Sequence, residues 1–156
     1  MKNLRTFLLC ACITAYGFCA SAQAPSIPIN EPNPNKPRLF SALPDNIAVN
    51  SDLFTTLLNT PIGNNIIIPI NTAARFQGLV ASVVSKYENS MQTVTIRLTN
   101  YPGANLTLTR TINSADGSLV YTGRIISLEH GDLYELQNQN GEYSFTKKKF
   151  YELVNE

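Results

Sequence analysis

The stretch from Thr93 to Thr109, TVTIRLTNYPGANLTLT, decides the fold class of this chain. Val94, Ile96 and Leu98 alternate with Thr93, Thr95, Arg97 and Thr99. After Tyr101-Pro102-Gly103-Ala104 the alternation resumes, with Leu106 and Leu108 set against Thr107 and Thr109. A period of two places successive side chains on opposite faces of an extended strand. Pro102-Gly103 suits the central positions of a type II turn, because proline presets φ and glycine accepts the positive φ that follows. The segment reads as a β-hairpin with one apolar face and one face rich in threonine.

The same grammar runs outward in both directions. Turn chemistry recurs at Tyr87-Glu88-Asn89-Ser90, Asn113-Ser114-Ala115-Asp116-Gly117, Glu129-His130-Gly131-Asp132 and Asn138-Gln139-Asn140-Gly141. Asp116-Gly117 and Asn140-Gly141 favour the positive φ of tight hairpins. Leu119, Tyr121 and Ile125 oppose Thr122 and Arg124, with Val120 and Ile126 interrupting the polar face. Gly78 and Gly123 fall inside strands, where a missing side chain permits a bulge or sharp coiling. Upstream, Ile66-Ile67-Ile68 is a β-branched run whose Pro69 assigns it to an edge or a bulge. Before it, Asn50-Ser51-Asp52 precedes Leu53, Phe54, Leu57 and Leu58 at helical spacing, which predicts a short helix over 51–59. Asn59-Thr60-Pro61 and Gly63 stop it. Phe150, Tyr151, Leu153 and Val154 suggest a final short helix or strand. The expectation is a mostly β (α+β) domain over 39–156, an antiparallel meander of about five to seven strands. It should be strongly coiled, toward a half-barrel over the N-terminal helix.

Residues 1–22 are built as an export signal. Lys2 and Arg5 precede an apolar run from Phe7 to Ala20, and Ala20-Ser21-Ala22 offers a small-x-small cleavage site before Gln23. Cutting after Ala24 would leave Pro25 directly behind the scissile bond. This places the mature chain outside the cytoplasm, secreted or periplasmic. A second reading, lipid attachment at Cys12 within Leu9-Cys10-Ala11-Cys12, has too short an apolar run before it. From Gln23 to Arg38, prolines 25, 28, 32, 34 and 37 alternate with polar residues, the composition of an extended flexible linker.

Composition then removes whole classes of function. All three cysteines (Cys10, Cys12, Cys19) lie in the signal, so the mature chain holds no disulfide. One histidine and no mature cysteine exclude the usual zinc ligand sets, and no Asp-rich loop resembles a calcium cradle. No glycine-rich phosphate loop is present, and the reading assigns no cofactor. Removing Lys2 and Arg5 from 12 basic residues leaves 10 against 11 acidic ones, a formal charge near −1. Such a balance does not steer a protein toward nucleic acid or an anionic membrane. Nothing after residue 22 is long and apolar enough to span a bilayer.

Two constellations remain. The threonine and arginine face, Thr95, Arg97, Thr107, Thr109, Thr122 and Arg124 with Thr93 beside them, is a hydrogen-bonding sheet face able to receive a protein or a glycan. Threonine is also simply well suited to a half-exposed strand. Glu129-His130-Gly131-Asp132 sets the one histidine beside two carboxylates, the makings of a general base. Its place at a turn tip argues instead for turn chemistry. Lys147-Lys148-Lys149 reads as a guard on a sheet edge. Asn105-Leu106-Thr107 matches a glycosylation sequon. The leading expectation is an exported non-enzymatic interaction domain, inhibitor-like or prodomain-like toward another exported protein. The alternatives are a small hydrolase centred on His130 with Glu129 or Asp132, and a structural envelope or matrix component.

Overall fold

The computed structural model describes residues 37–72 and 74–149. The expected signal, the expected linker through residue 36 and the expected terminal element after Lys149 lie outside the described residues. One antiparallel sheet of eight strands dominates, in the order β1-β8-β7-β6-β5-β4-β3-β2. The strands are β1 (Asn46–Val49), β2 (Asn65–Pro69), β3 (Arg75–Lys86), β4 (Met91–Leu98), β5 (Ala104–Ile112), β6 (Leu119–Ser127), β7 (Asp132–Gln139) and β8 (Glu142–Lys149). Among the described residues there is one helix, α1 (Ser51–Asn59), and it joins β1 to β2.

Eight strands correct the expected five to seven, which was about right for β2 through β8. β1 was missed because Asn46-Ile47-Ala48-Val49 is too short to show a period. It becomes a strand only by pairing with β8, Asn46 opposite Thr146 and Val49 opposite Tyr143. That pairing covers β8 from Tyr143 to Thr146 and stops short of the lysine triplet, of which Lys147 donates its N–H to the Asp45 carbonyl at 2.7 Å. The Lys147 side chain is tied down as well: its Nζ donates to the Leu43 carbonyl at 2.7 Å and sits 3.1 Å from Asp45 Oδ1. β2 does lie at an edge, as Pro69 requires.

The connection from β1 to β2 forces the sheet to curl. Those strands are the two outer edges, and eight strands laid flat would span about 34 Å. A helix of nine residues reaches only about 14 Å, and the 60–64 link after it is turned by the Asn64 N–H to Pro61 carbonyl bond. The sheet therefore wraps into a half-barrel with α1 across its concave side. Asn50 caps the helix, its Oδ1 accepting from the Asp52 N–H at 3.0 Å. Phe54, Leu57 and Leu58 are buried against the sheet, and Gln92 Nε2 on β4 donates to the Leu58 carbonyl at 2.8 Å. Among the described residues no helix is long and apolar enough to cross a membrane.

Two aromatic clusters close the ends of the concave face. At one end Phe40, upstream of β1, packs on Tyr134 (5.4 Å between centroids), Tyr101 (5.5 Å) and Phe76 (6.2 Å). Its N–H donates to buried Asp132 Oδ2 at 3.0 Å. At the other end Phe54 of α1 meets Tyr121 at 5.0 Å and Tyr143 at 5.2 Å. Between them lie Val80, Val94, Ile96, Leu106, Leu108, Ile125 and Phe145, all but free of solvent. A contiguous apolar core of this kind supplies stability of the sort that disulfides give many small domains.

Tyr134 adds a pH dependence. Its hydroxyl donates to the Pro44 carbonyl, and burial, reinforced by Asp45, holds the phenol well above the ordinary 10.0. Between pH 10 and the native pKa the unfolded chain releases a proton that the native chain retains, so stability falls as pH rises. Stability should hold below pH 10 and decline above it, with tyrosinate absorbance from Tyr134 appearing only as the chain unfolds. Tyr134→Phe should flatten that alkaline decline; an unchanged slope would assign it to another group.

Candidate functional site

The convex face carries the threonine and arginine residues in rows across the sheet. Thr93, Thr109 and Thr122 form one row of register partners, and Thr95, Thr107, Arg124, Glu135 and Thr146 form the next. The rows arise because threonine at alternate positions of β4, β5 and β6 falls in matched register, so hydroxyls stack across strands. Thr93 and Thr109 hydroxyls are 2.9 Å apart and hydrogen-bonded.

An open depression of about 360 Å³ lies where these rows meet β7, lined by Thr107, Thr109, Thr122, Gly123, Arg124, Glu135 and Leu136. Four of the six residues singled out on this face, Thr107, Thr109, Thr122 and Arg124, converge on it. Thr95 stands beside Thr107 without lining it, and Arg97 lies further along, opposite Asn105 and Leu79. Arg124 Nη2 pairs with Glu135 Oε1 at 2.9 Å, and its Nε donates to the same oxygen at 3.2 Å. Glu135 escaped the reading of single strands. Its signal was in the hairpin: Ser127 and Asp132 close the turn, and three residues outward on each arm stand Arg124 and Glu135.

The depression marks a fork in the sheet. β6 pairs with β5 along its whole length, Leu119 to Ser127, and β7 pairs with β8 from Asp132 to Gln139. β6 and β7 pair with each other only from Arg124 opposite Glu135 to Ser127 opposite Asp132. Beyond Arg124 the register pairing stops, although a Cβ on Gly123 would still lie 3.5 Å from Leu136 Cβ. Gly123 stands at the divergence, and a Cβ there would lie 3.2 Å from the Thr107 carbonyl oxygen and 3.3 Å from Leu108 Cδ1. On the concave side the gap is closed by Phe54, Tyr121 and Tyr143, the two tyrosine rings 5.7 Å apart. On the convex side it is open.

Because the Arg124–Glu135 pair is exposed, 55 % and 26 % by side chain, it holds little of the fold. Arg124→Ala should change unfolding free energy by less than about 1 kcal/mol in urea titration. A larger loss would make the pair part of the scaffold and weaken its standing as a binding group.

His130 lies apart from this face. Its Nδ1 is 3.0 Å from Ser127 Oγ, at the turn between β6 and β7. Asp132 follows in the same turn, but its carboxylate accepts from the Phe40 N–H, and Ser127 is fully buried. Asn105 of the sequon is half-buried on β5. Another depression, about 530 Å³, lies between Val49–Ser51 and the β7–β8 turn and contains none of the candidate binding or catalytic residues. Comparison with protein-family models, with curated proteins and with solved structures finds no match to this chain.

Proposed function

We propose that this chain is an exported, non-enzymatic binding module that docks on another protein through its convex threonine–arginine face. The observation that carries the reading is the convergence of Thr107, Thr109, Thr122 and Arg124, with Glu135, on one open depression. Hydroxyls, one cation and one anion in fixed register offer directional hydrogen bonds without a net field, which suits recognition of a neutral polar surface. The export reading rests on the leader at residues 1–22, and an inhibitor-like or prodomain-like role fits a small domain whose candidate face offers hydroxyls and one ion pair. The hydrolase alternative has the Ser127–His130 contact in its favour. Burial of Ser127 leaves that hydroxyl no path to a substrate, so docking is the better-supported role.

Crosslinking in the native host, with the tagged full-length precursor, tests it. One defined partner should be captured by the wild type and lost from a Thr122→Trp, Arg124→Glu variant of unchanged stability. A partner retained by that variant would move the docking surface elsewhere.

A further inference from the structure

Strands β4, β5 and β6 carry three arginines, Arg97, Arg110 and Arg124, and no acidic residue. Arg97 is exposed, and Arg124 is answered by Glu135 from β7. Arg110 has neither outlet. Its register partners are Gln92 on β4 and Tyr121 on β6, and Tyr121 packs on Phe54 of α1, so this arginine lies on the concave side with the helix. It is half-buried, and its Nε is buried without a hydrogen-bond partner. Among the described residues no hydrogen bond or ion pair reaches it. The amide of Gln92 is committed to the Leu58 carbonyl. A guanidinium keeps its charge in any surroundings a protein offers, so burial cannot neutralise it. An N–H enclosed in this way has given up water and gained no acceptor, and the charge behind it has no counter-ion within the fold.

We infer that Arg110, together with Ile112 and Leu119, binds a carboxylate borne on an apolar group. Ile112 stands two residues beyond Arg110 on the same side of β5, and its register partner is Leu119. Arg110–Tyr121 and Ile112–Leu119 are therefore successive rungs of one face. Ile112 is 37 % exposed and Leu119 49 %, an apolar surface immediately outside the charge. With Nε enclosed, the two Nη nitrogens present the fork, whose spacing matches both oxygens of a single carboxylate. Protein rather than water on the enclosed side strengthens that contact over the same contact at a fully hydrated arginine. The outer rung supplies the second half of the recognition: a small hydrated anion would leave Ile112 and Leu119 wet, whereas an apolar group attached to the carboxylate covers them.

This site lies on the side of the sheet opposite the convex docking face and does not rest on it. Two sources share its ligand chemistry, a medium-chain fatty acid and the C-terminal residue of a polypeptide that ends in an apolar side chain. Octanoate stands for the first and N-acetyl-leucine for the second.

Two-dimensional NMR titration of the isotope-labelled full mature chain tests this, following the Arg110 Nε–H and the Leu119 and Tyr121 amides. At least one of the two probes should shift all three resonances with a Kd below about 1 mM, and the tighter binder assigns the source. Octanol and N-acetyl-leucinamide, which lack the carboxylate, should bind at least about tenfold more weakly, and so should acetate, which lacks the apolar group. Arg110→Met should abolish probe binding and leave Tm unchanged or raised, because it removes an uncompensated charge while keeping the bulk of the side chain. The Thr122→Trp, Arg124→Glu variant should bind the probes like the wild type, which separates this site from the docking face. Absence of shifts with both probes would overturn the proposal, as would equal binding of the uncharged analogues or of acetate. So would probe binding that survives Arg110→Met. A fall in Tm of more than about 5 °C in that variant would show that the fold already satisfies the guanidinium, and would overturn it too.

Discussion

Gly78→Ala is expected to lower the unfolding free energy by about 3 kcal/mol, near the upper end for overpacking. A Cβ at this position would lie 2.6 Å from Ile96 Cγ2 and 2.8 Å from the Arg97 carbonyl oxygen, distances at which something must shift. Ile96 is fully buried, so its side chain has no solvent to turn into. Arg97 is registered against Leu79 on β3 and Asn105 on β5, so its carbonyl cannot retreat without disturbing a ladder. Immediately beyond, the β3–β4 register slips by one residue between Val80 and Ser82, the bulge that lets this long strand coil. Gly117→Ala is the control, since nothing lies within 4 Å of its Cβ and only its φ of 72° is unfavourable. That variant should lose about 1 kcal/mol. The measurement is the urea midpoint at constant m value. A Gly78→Ala loss no greater than that of Gly117→Ala would show that β3 and β4 do not approach as tightly as described.

Phe40→Ala carries the largest expected loss, about 4 kcal/mol, in the range for deleting a fully buried phenylalanine. Phe40 has no exposed surface and meets three other aromatic rings, so its removal leaves a cavity walled by Phe76, Tyr101 and Tyr134. Those rings come from strands β3 and β7 and from the β4–β5 turn, and they cannot collapse together without moving the sheet. The segment it belongs to is also held by the Asp132 carboxylate, by the Leu43 N–H to Phe40 carbonyl bond at 3.0 Å, and by Lys147 and Tyr134, which donate to the Leu43 and Pro44 carbonyls. Leu39→Ala, one residue earlier and only partly buried, should lose less than half as much. Thermal and urea unfolding of both variants decide the matter. A Phe40→Ala effect within 1 kcal/mol of zero would mean that the half-barrel stands without its N-terminal plug.

Much of the architecture was legible because it is local. The helix announced itself through Asn50 and the spacing of Phe54, Leu57 and Leu58, and each of those three is buried as its position implies. The turns at Pro102-Gly103, Asp116-Gly117 and Asn140-Gly141 were readable because positive φ restricts the residue types that can occupy them: φ is 81° at Gly103, 72° at Gly117 and 90° at Gly141. Tyr87-Glu88-Asn89 was readable as a turn, yet not as three consecutive residues at positive φ (52°, 54° and 71°), which no glycine announces. The polar row of threonines was visible strand by strand. Its convergence on one depression with Glu135 required the register of three neighbouring strands.

Side-chain alternation, turn chemistry and capping determined on their own that this is a one-sided antiparallel meander with a helix before it. These are properties of residues a few positions apart, where sterics and local hydrogen bonding dominate. Tertiary structure alone decided that β1 joins β8, that Lys147 ties down the Leu43 carbonyl, and that β6–β7 pairing stops at Arg124. Those outcomes depend on which distant backbones meet. Long-range closure and the ring cluster of Phe54, Tyr121 and Tyr143 settle that, and no local period encodes it.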